Sequence, residues 1–218
     1  MHIYIDGPDK PCTVRTRVRV PLRLSTGLMV DSWVSTFHGL RDGAEHLAVE
    51  LGPADTRTPL VRVHSECLTG DVFGSARCDC GPQLDEALVS LHAAGGVLVY
   101  LRQEGRGIGL YSKIDAYRLQ DGGLDTYEAN EALGLSDDLR DYTAAAQMLR
   151  ALGRTAVDLL TNNPDKARQL AAHGITVHRT LPTGVHVNQH NRAYLTAKAE
   201  KTLHTIELHD LTEKEKIA

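Results

Sequence analysis

The segment SECLTGDVFGSARCDCGPQLDEA, residues 65 to 87, holds three of the chain's four cysteines, Cys67, Cys78 and Cys80, in a C-x10-C-x-C pattern. Three thiolates within fourteen residues can meet around one tetrahedral zinc ion if the backbone turns at Cys-Asp-Cys-Gly-Pro, which Gly81 and Pro82 permit. A structural zinc site is closed by four protein atoms, typically from paired C-x2-4-C knuckles, whereas three protein ligands leave a position for water. The chain has no C-x-x-C, and the remaining candidates for a fourth ligand are His64 and the remote Cys12. The pattern therefore favours three ligands and a water, against the blander reading of the cysteines as small buried hydrophobes. Three thiolates leave a zinc site formally at −1, so its pull on water is weaker than with neutral imidazoles. Such a water needs an acid-base group beside it.

Carboxylates and guanidinia come close together in RVHSE at 62 to 66, RQEGRG at 102 to 107 and DDLRDY at 137 to 142. Any one of these alone would pass as a solvated charged turn. RQEGRGIG, however, follows the apolar run VLVY and precedes a helical pattern, the place where α/β proteins put ligand-binding loops. Gly105 and Gly107 allow close backbone approach there, and Arg102 and Arg106 supply planar forks suited to phosphate oxygens. LLTNNPDK follows the same logic, with a strand ending at Thr161 and Lys166 in the first turn of the next helix, whose N-terminus attracts anions. Neither segment is a Walker loop or a dinucleotide G-x-G-x-x-G. Two anion cradles beside a metal suggest a nucleotide.

The elements that must position these groups fall into two textures. Up to about residue 64, TVRTRVRVPLRL, LMVDSWVSTFHG, EHLAVELG and PLVRVH alternate apolar and polar residues between Gly, Pro and Asp punctuation, which predicts mostly antiparallel strand. After residue 81 helical and strand patterns alternate: GVLVYLRQ and AVDLLTNN read as strands, GLYSKIDAYRLQ and LRDYTAAAQMLRALG as helices. NNPDKARQLAAHG predicts a helix capped by Asn163, with Pro164 at its first position and Gly174 past its end. ITVHRTL reads as a further strand and NRAYLTAKAEKTLHTI as a closing helix. The fold class expected is α+β, an antiparallel and partly barrel-like N-terminal half followed by helices packed on a sheet. We expect one domain over 1–218, with 1–64 mainly β, 65–205 binding zinc and nucleotide, and 206–218 a fraying tail.

At 218 residues, 42% hydrophobic and 24% charged, the chain can bury a real core. A formal charge of −4 argues against broad nucleic-acid binding but not against a small phosphorylated ligand. No leader-like start or membrane-length apolar run is evident, so we expect a cytoplasmic protein with no membrane partner.

Taken together, RVHSECLTGD, RCDCGPQL, RQEGRGIGL, DTYEANEALG, LRDY and LLTNNPDK run in register from about residue 60 to 201 and resemble the GTP cyclohydrolase II family. The resemblance implies a stand-alone, homodimeric enzyme with one Zn2+ per chain, acting on GTP with Mg2+ on the triphosphate. It implies hydrolytic opening of the guanine imidazole ring, with release of formate and pyrophosphate, as the first step of riboflavin biosynthesis or of a related specialised pathway. The product implied is 2,5-diamino-6-(5-phosphoribosylamino)pyrimidin-4(3H)-one. Cys67, Cys78 and Cys80 match the family's zinc ligands, Asp138 its general base, and Tyr117 a residue acting on the ring-opened formyl intermediate. Arg140 matches a residue described as a nucleophile toward the α-phosphorus; a guanidinium is so weakly acidic that stabilising charge on the phosphate suits it at least as well. Arg62, Val63, His64, Ser65, Glu66, Gln83, Glu104, Gly105, Arg106, Thr126, Thr161 and Lys166 match substrate-binding positions. For three of these a plainer role is open: Thr126 as a helix N-cap, Gln83 as a helix-start polar residue, His64 as one ordinary histidine among eleven.

Three rivals stand beside this reading. A zinc nucleobase deaminase would use the H-x-E of His64-Ser65-Glu66 but follow it with P-C-x-x-C, which is missing. A non-enzymatic zinc module would want a closed four-ligand site and a basic face. A family variant would stop at the formylamino-pyrimidine intermediate, and the presence of Tyr117 argues for the full reaction.

Overall fold

The computed structural model describes residues 11–53, 57–136, 138–192 and 194–196. Seven strands form one mixed sheet: β1 (Thr13–Arg23), β2 (Met29–His38), β3 (Leu47–Leu51), β4 (Leu60–Ser65), β5 (Gly96–Leu101), β6 (Ala156–Leu160) and β7 (Thr176–Leu181). Their spatial order is β1-β2-β3-β5-β4-β6-β7. The first three and β5 pair antiparallel, while β5, β4, β6 and β7 are parallel neighbours. The α+β expectation holds, with the N-terminal strands as an antiparallel flank of the same sheet.

Strand β4 departs from the expected antiparallel half, for it lies in the parallel centre. The reason is its connection to β5: parallel neighbours need a crossover, and α2 (Cys80–Ala94) supplies it. Strand β5 is buried on both faces, which is why it reads as the unbroken apolar run GVLVYL. Val97, Val99 and Leu101 pack with Val61, Val63 and the helix α5 (Thr143–Ala151) on one side, while Leu98 packs with Val49, Leu51 and Leu91 of α2 on the other. The pleat thus sends alternate residues into two separate cores.

Short helices complete the layers: α1 (Leu68–Asp71), α3 (Leu110–Asp121), α4 (Thr126–Ala132) and α6 (Pro164–Ala172), with a 3-10 turn at Glu104–Gly107. Helix α6 begins as predicted, Asn163 accepting from the Asp165 amide with Pro164 next, and Gly174 beyond its end has φ +80°. LRDY, read above as helix, is instead irregular loop, because Asp141 accepts the Thr143 amide at 2.6 Å and α5 starts only there. Thr126 is the first residue of α4 and not its cap, since Asp125 makes a capping box with Glu128. Most of the closing helix and the tail from 206 lie outside the described residues; Arg192 and residues 194–196 are helical.

Strands β4, β5 and β6 run in parallel and end at Ser65, Leu101 and Leu160. The segments that follow them are the three chemically conspicuous ones: Glu66-Cys67, Arg102 to Gly107, and Thr161 to Asn163. The sheet therefore delivers them to one edge, where open α/β sheets bind ligands.

Candidate active site

Cys67 stands at the start of α1, Cys78 just before α2 and Cys80 at its first position. The sulfurs of Cys67 and Cys78 are 3.6 Å apart, and all three lie within 4.8 Å of one another. Tetrahedral zinc with sulfurs at about 2.3 Å sets them about 3.8 Å apart, so the donors present fit that ion in kind and spacing. Glycines make the cradle possible. A Cβ on Gly70 would come within 2.8 Å of Cys78 Sγ and 3.2 Å of Cys67 Sγ, and one on Gly81 within 2.5 Å of the Gly70 carbonyl oxygen. Hydrogen bonds from Cys78 and Cys80, with Lys113 nearby, hold the Cys67 thiol far below its ordinary range, while that same sharing pushes Cys78 up to about 11 and raises Cys80 as well. A bound cation would favour the thiolate form of all three. Gly70→Ala is expected to push the sulfurs apart and abolish cobalt uptake, with the circular dichroism of the fold retained; stoichiometric cobalt binding by that variant would contradict the cradle.

His64, a possible fourth ligand, is committed elsewhere. Its Nε2 lies 3.1 Å from both Asp71 oxygens, its ring stacks on Tyr100, and burial lowers its pKa despite Asp71. Asp71 also accepts from the Cys67 amide at 3.0 Å and from the Tyr100 hydroxyl at 2.8 Å, so one buried carboxylate fixes the entry to α1. Cys12 is outside the cluster.

The cluster opens into a pocket shared with the cationic segments. On one wall Arg62, 5% exposed, donates to the Leu160 carbonyl and to Gln83 Oε1, while Gln83 donates to Asp79 Oδ2 and the Gly184 carbonyl. The Arg62 Nε is buried with no hydrogen-bond partner among the described residues. Lys166, 6% exposed, donates to the Val63 carbonyl at 2.7 Å and lies over the Tyr142 ring. Thr161 accepts from the Asn163 amide at 3.0 Å. Val63 offers only that carbonyl; its side chain is fully buried in the core and does not line the pocket.

On the opposite wall Gly105 and Arg106 both have φ +60°, a left-handed pair that turns Arg106 into the pocket over the Tyr127 ring. Arg106 is the one described residue other than glycine with positive φ, a conformation that costs free energy and clusters at ligand sites. The turn also holds the neighbouring loop, because the Leu139 amide donates to the Arg106 carbonyl at 2.9 Å and a Cβ on Gly107 would lie 3.0 Å from Leu139 Cβ. That loop carries Asp138 and Arg140. Asp138 accepts from the Arg140 amide, from Nε at 2.8 Å and from NH2; Arg140 lines the pocket and Asp138 does not. Burial alone would raise Asp138, yet the Arg140 partnership holds its carboxyl below the usual range. Arg140 is raised despite burial, through the same pair.

Of the expected substrate contacts, Glu104 is committed to structure: its carboxylate takes the Leu68 amide at 2.7 Å, the Gly105 amide at 2.9 Å and Lys113 Nζ at 2.8 Å. Ser65, Glu66, His64 and Thr126 also line the pocket. Arg102, expected as a phosphate fork, turns outward, about half exposed, onto Glu66 at 2.8 Å. The Tyr117 hydroxyl lies 3.4 Å from Thr69 Oγ1, itself 3.8 Å from Cys67 Sγ, and burial raises its pKa.

The sequence profile of the GTP cyclohydrolase II family matches residues 17–182. The chain belongs to the GTP cyclohydrolase II family. It is 53% identical over 194 residues to the GTP cyclohydrolase-2 of Vibrio cholerae, covering 88% of this chain and 98% of that protein. With the GTP cyclohydrolase-2 of Psychromonas ingrahamii it shares 50% over 194 residues, 88% of this chain and 97% of the other. The riboflavin biosynthesis protein RibBA of Bacillus velezensis is 54% identical over 168 residues, 76% of this chain but 42% of that longer protein. Among the described residues no helix is long and apolar enough to cross a membrane.

In this GTP cyclohydrolase II chain three pocket or near-pocket residues escaped sequence reasoning. Lys113 donates to Cys67 Sγ at 3.1 Å, Arg77 lies over the Tyr117 ring while paired with Asp121, and Asp71 holds His64 and Cys67. Lys113 and Arg77 meet partners distant in sequence, whereas Asp71 lies four residues from Cys67 and seven from His64, and its role shows only once that loop is folded.

Proposed function

We propose that this chain opens the imidazole ring of GTP by hydrolysis, releases formate and pyrophosphate, and yields 2,5-diamino-6-(5-phosphoribosylamino)pyrimidin-4(3H)-one, the first step of riboflavin biosynthesis. The observation that carries this is one pocket lined by both the three-cysteine cluster and six cationic side chains, among them Arg62, Arg106, Arg140 and Lys166. Cys67, Cys78 and Cys80 would hold one zinc, which when bound supplies a Lewis acid and an activated water for attack on C8.

The protein's own groups account for the rest. Arg62, braced by Gln83, and Lys166 with Thr161 present cations and donors from the ends of β4 and β6, and Arg106 does so from the left-handed turn. With the backbone of Arg62 to Glu66, the turn at Glu104 to Arg106, and Thr126, they bind the nucleotide, whose triphosphate enters with Mg2+. Arg140 remains a guanidinium, so it stabilises charge at the α-phosphate and is not the nucleophile. Asp138 stays ionised and acts as the base once the substrate engages Arg140. Tyr117 keeps its phenol proton beside the cluster and donates to the formyl oxygen as formate leaves. The deaminase rival loses ground, since there a histidine ligates zinc and the glutamate is free to move protons. Here His64 is held by Asp71 and Glu66 by Arg102. The catalytic unit is a single domain acting in the cytoplasm as a homodimer.

Metal removal tests the reading. Protein stripped with a chelator is expected to bind GTP yet release no formate, and stoichiometric zinc to restore release. Formate production by the stripped protein at the untreated rate would refute it.

A further inference from the structure

Lys113 sits in the first turns of α3, outside every family motif used above. Its Nζ donates to Cys67 Sγ at 3.1 Å and to Glu104 Oε1 at 2.8 Å, and only about a tenth of the side chain is exposed. Glu104 is in turn fixed by the Leu68 and Gly105 amides, so the ammonium is tethered by a carboxylate that is itself held in place. The left-handed turn makes room for it, as a Cβ on Gly105 would stand 3.2 Å from Lys113 Cβ. Lys113 also lies 5.7 Å from the centre of the Tyr117 ring. Among the described residues no hydrogen bond joins a second cation to the three cysteine sulfurs.

We propose that Lys113 is a positioning residue for the metal centre, its Glu104-tethered ammonium drawing charge off the Cys67 thiolate so that the ion it ligates becomes the stronger Lewis acid. The physical need is specific to this donor set. Three thiolates around a divalent ion sum to −1, which weakens the ion's pull on water, and a hydrogen bond from a cation to one sulfur reduces that donor's strength. The inference rests on the zinc reading given above. A salt bridge that merely anchored α3 to Glu104 would leave the electronic state of the sulfur unchanged.

Cobalt reports that state directly, because sulfur-to-cobalt charge transfer depends on the energy of the sulfur lone pairs, whereas the ligand-field bands report coordination geometry. Cobalt-loaded wild type, Lys113→Met and Lys113→Arg are compared by absorption, with circular dichroism as a check of folding. Loss of the hydrogen bond in Lys113→Met is expected to move the charge-transfer band to lower energy with unchanged ligand-field bands, and formate release by the zinc form to fall about 10- to 100-fold. Lys113→Arg, which keeps a charged donor, should return both toward wild type. Cobalt bound by the arginine variant but lost from the methionine one would also support the role. An unmoved band in Lys113→Met, or loss of cobalt from both folded variants, overturns it. If Lys113→Met does not fold, Lys113→Leu, which also lacks a donor, takes its place with the same readings. A wild type that takes up no cobalt would sink the metal reading itself, a separate failure.

Discussion

Replacing Cys78 by serine is expected to abolish zinc binding and ring opening together. Cys78 is 6% exposed, and its sulfur is within 3.6 Å of Cys67 Sγ, so a serine hydroxyl would take the place of the thiolate at the heart of the cluster. An alcohol is a harder and far less acidic donor than a thiol, and two thiolates do not hold zinc as three do. No nearby group can stand in. His64 is engaged with Asp71 and Glu66 with Arg102. Metal analysis and formate assay on the same sample check this. A zinc-free Cys78→Ser protein that still released formate would remove the metal from the mechanism.

Asp138→Asn should leave zinc content and GTP affinity near wild type while slowing hydrolysis by about 10²- to 10⁴-fold, the range for loss of a general base. The side chain does not line the pocket, so little of the binding surface changes. What changes is the carboxylate that accepts from Arg140 and stays ionised at neutral pH. An asparagine keeps one acceptor for the guanidinium but cannot take up a proton. Single-turnover rates for Asp138→Asn, Arg140→Met and the double variant separate the two roles. Rate losses that multiply would show Asp138 and Arg140 acting independently, and a double variant no slower than either single would show Asp138 acting through Arg140. Near-normal turnover in Asp138→Asn would take the residue out of the chemistry.

Much of this site could be read from one dimension because its parts are contiguous. Cys67, Cys78 and Cys80 lie within fourteen residues, and the strand-loop-helix order around Arg106 and Thr161 announces ligand loops. Helix α6 carried its own caps in Asn163, Pro164 and Gly174. Pairing direction was a different matter. PLVRVH alternates like its antiparallel neighbours, and only the crossover through α2 places β4 in the parallel centre. LRDY carries helix-forming residues, yet other partners outweigh that propensity: the Leu139 amide goes to the distant Arg106 carbonyl, while the local pairs of Asp138 with Arg140 and of Asp141 with the Thr143 amide hold the loop. Glu104 and Arg102 show the same limit for charged groups. Sequence places both beside the pocket, but Glu104 is taken up by Lys113 and Arg102 by Glu66, partners that spacing does not reveal.

The most direct measurement is incubation of metal-analysed protein with GTP and Mg2+, following formate, pyrophosphate and the pyrimidine by mass spectrometry. One zinc per chain with all three products in equal amounts is the result predicted. Formylamino-pyrimidine with pyrophosphate but no formate, or no reaction by fully zinc-loaded protein, would contradict it.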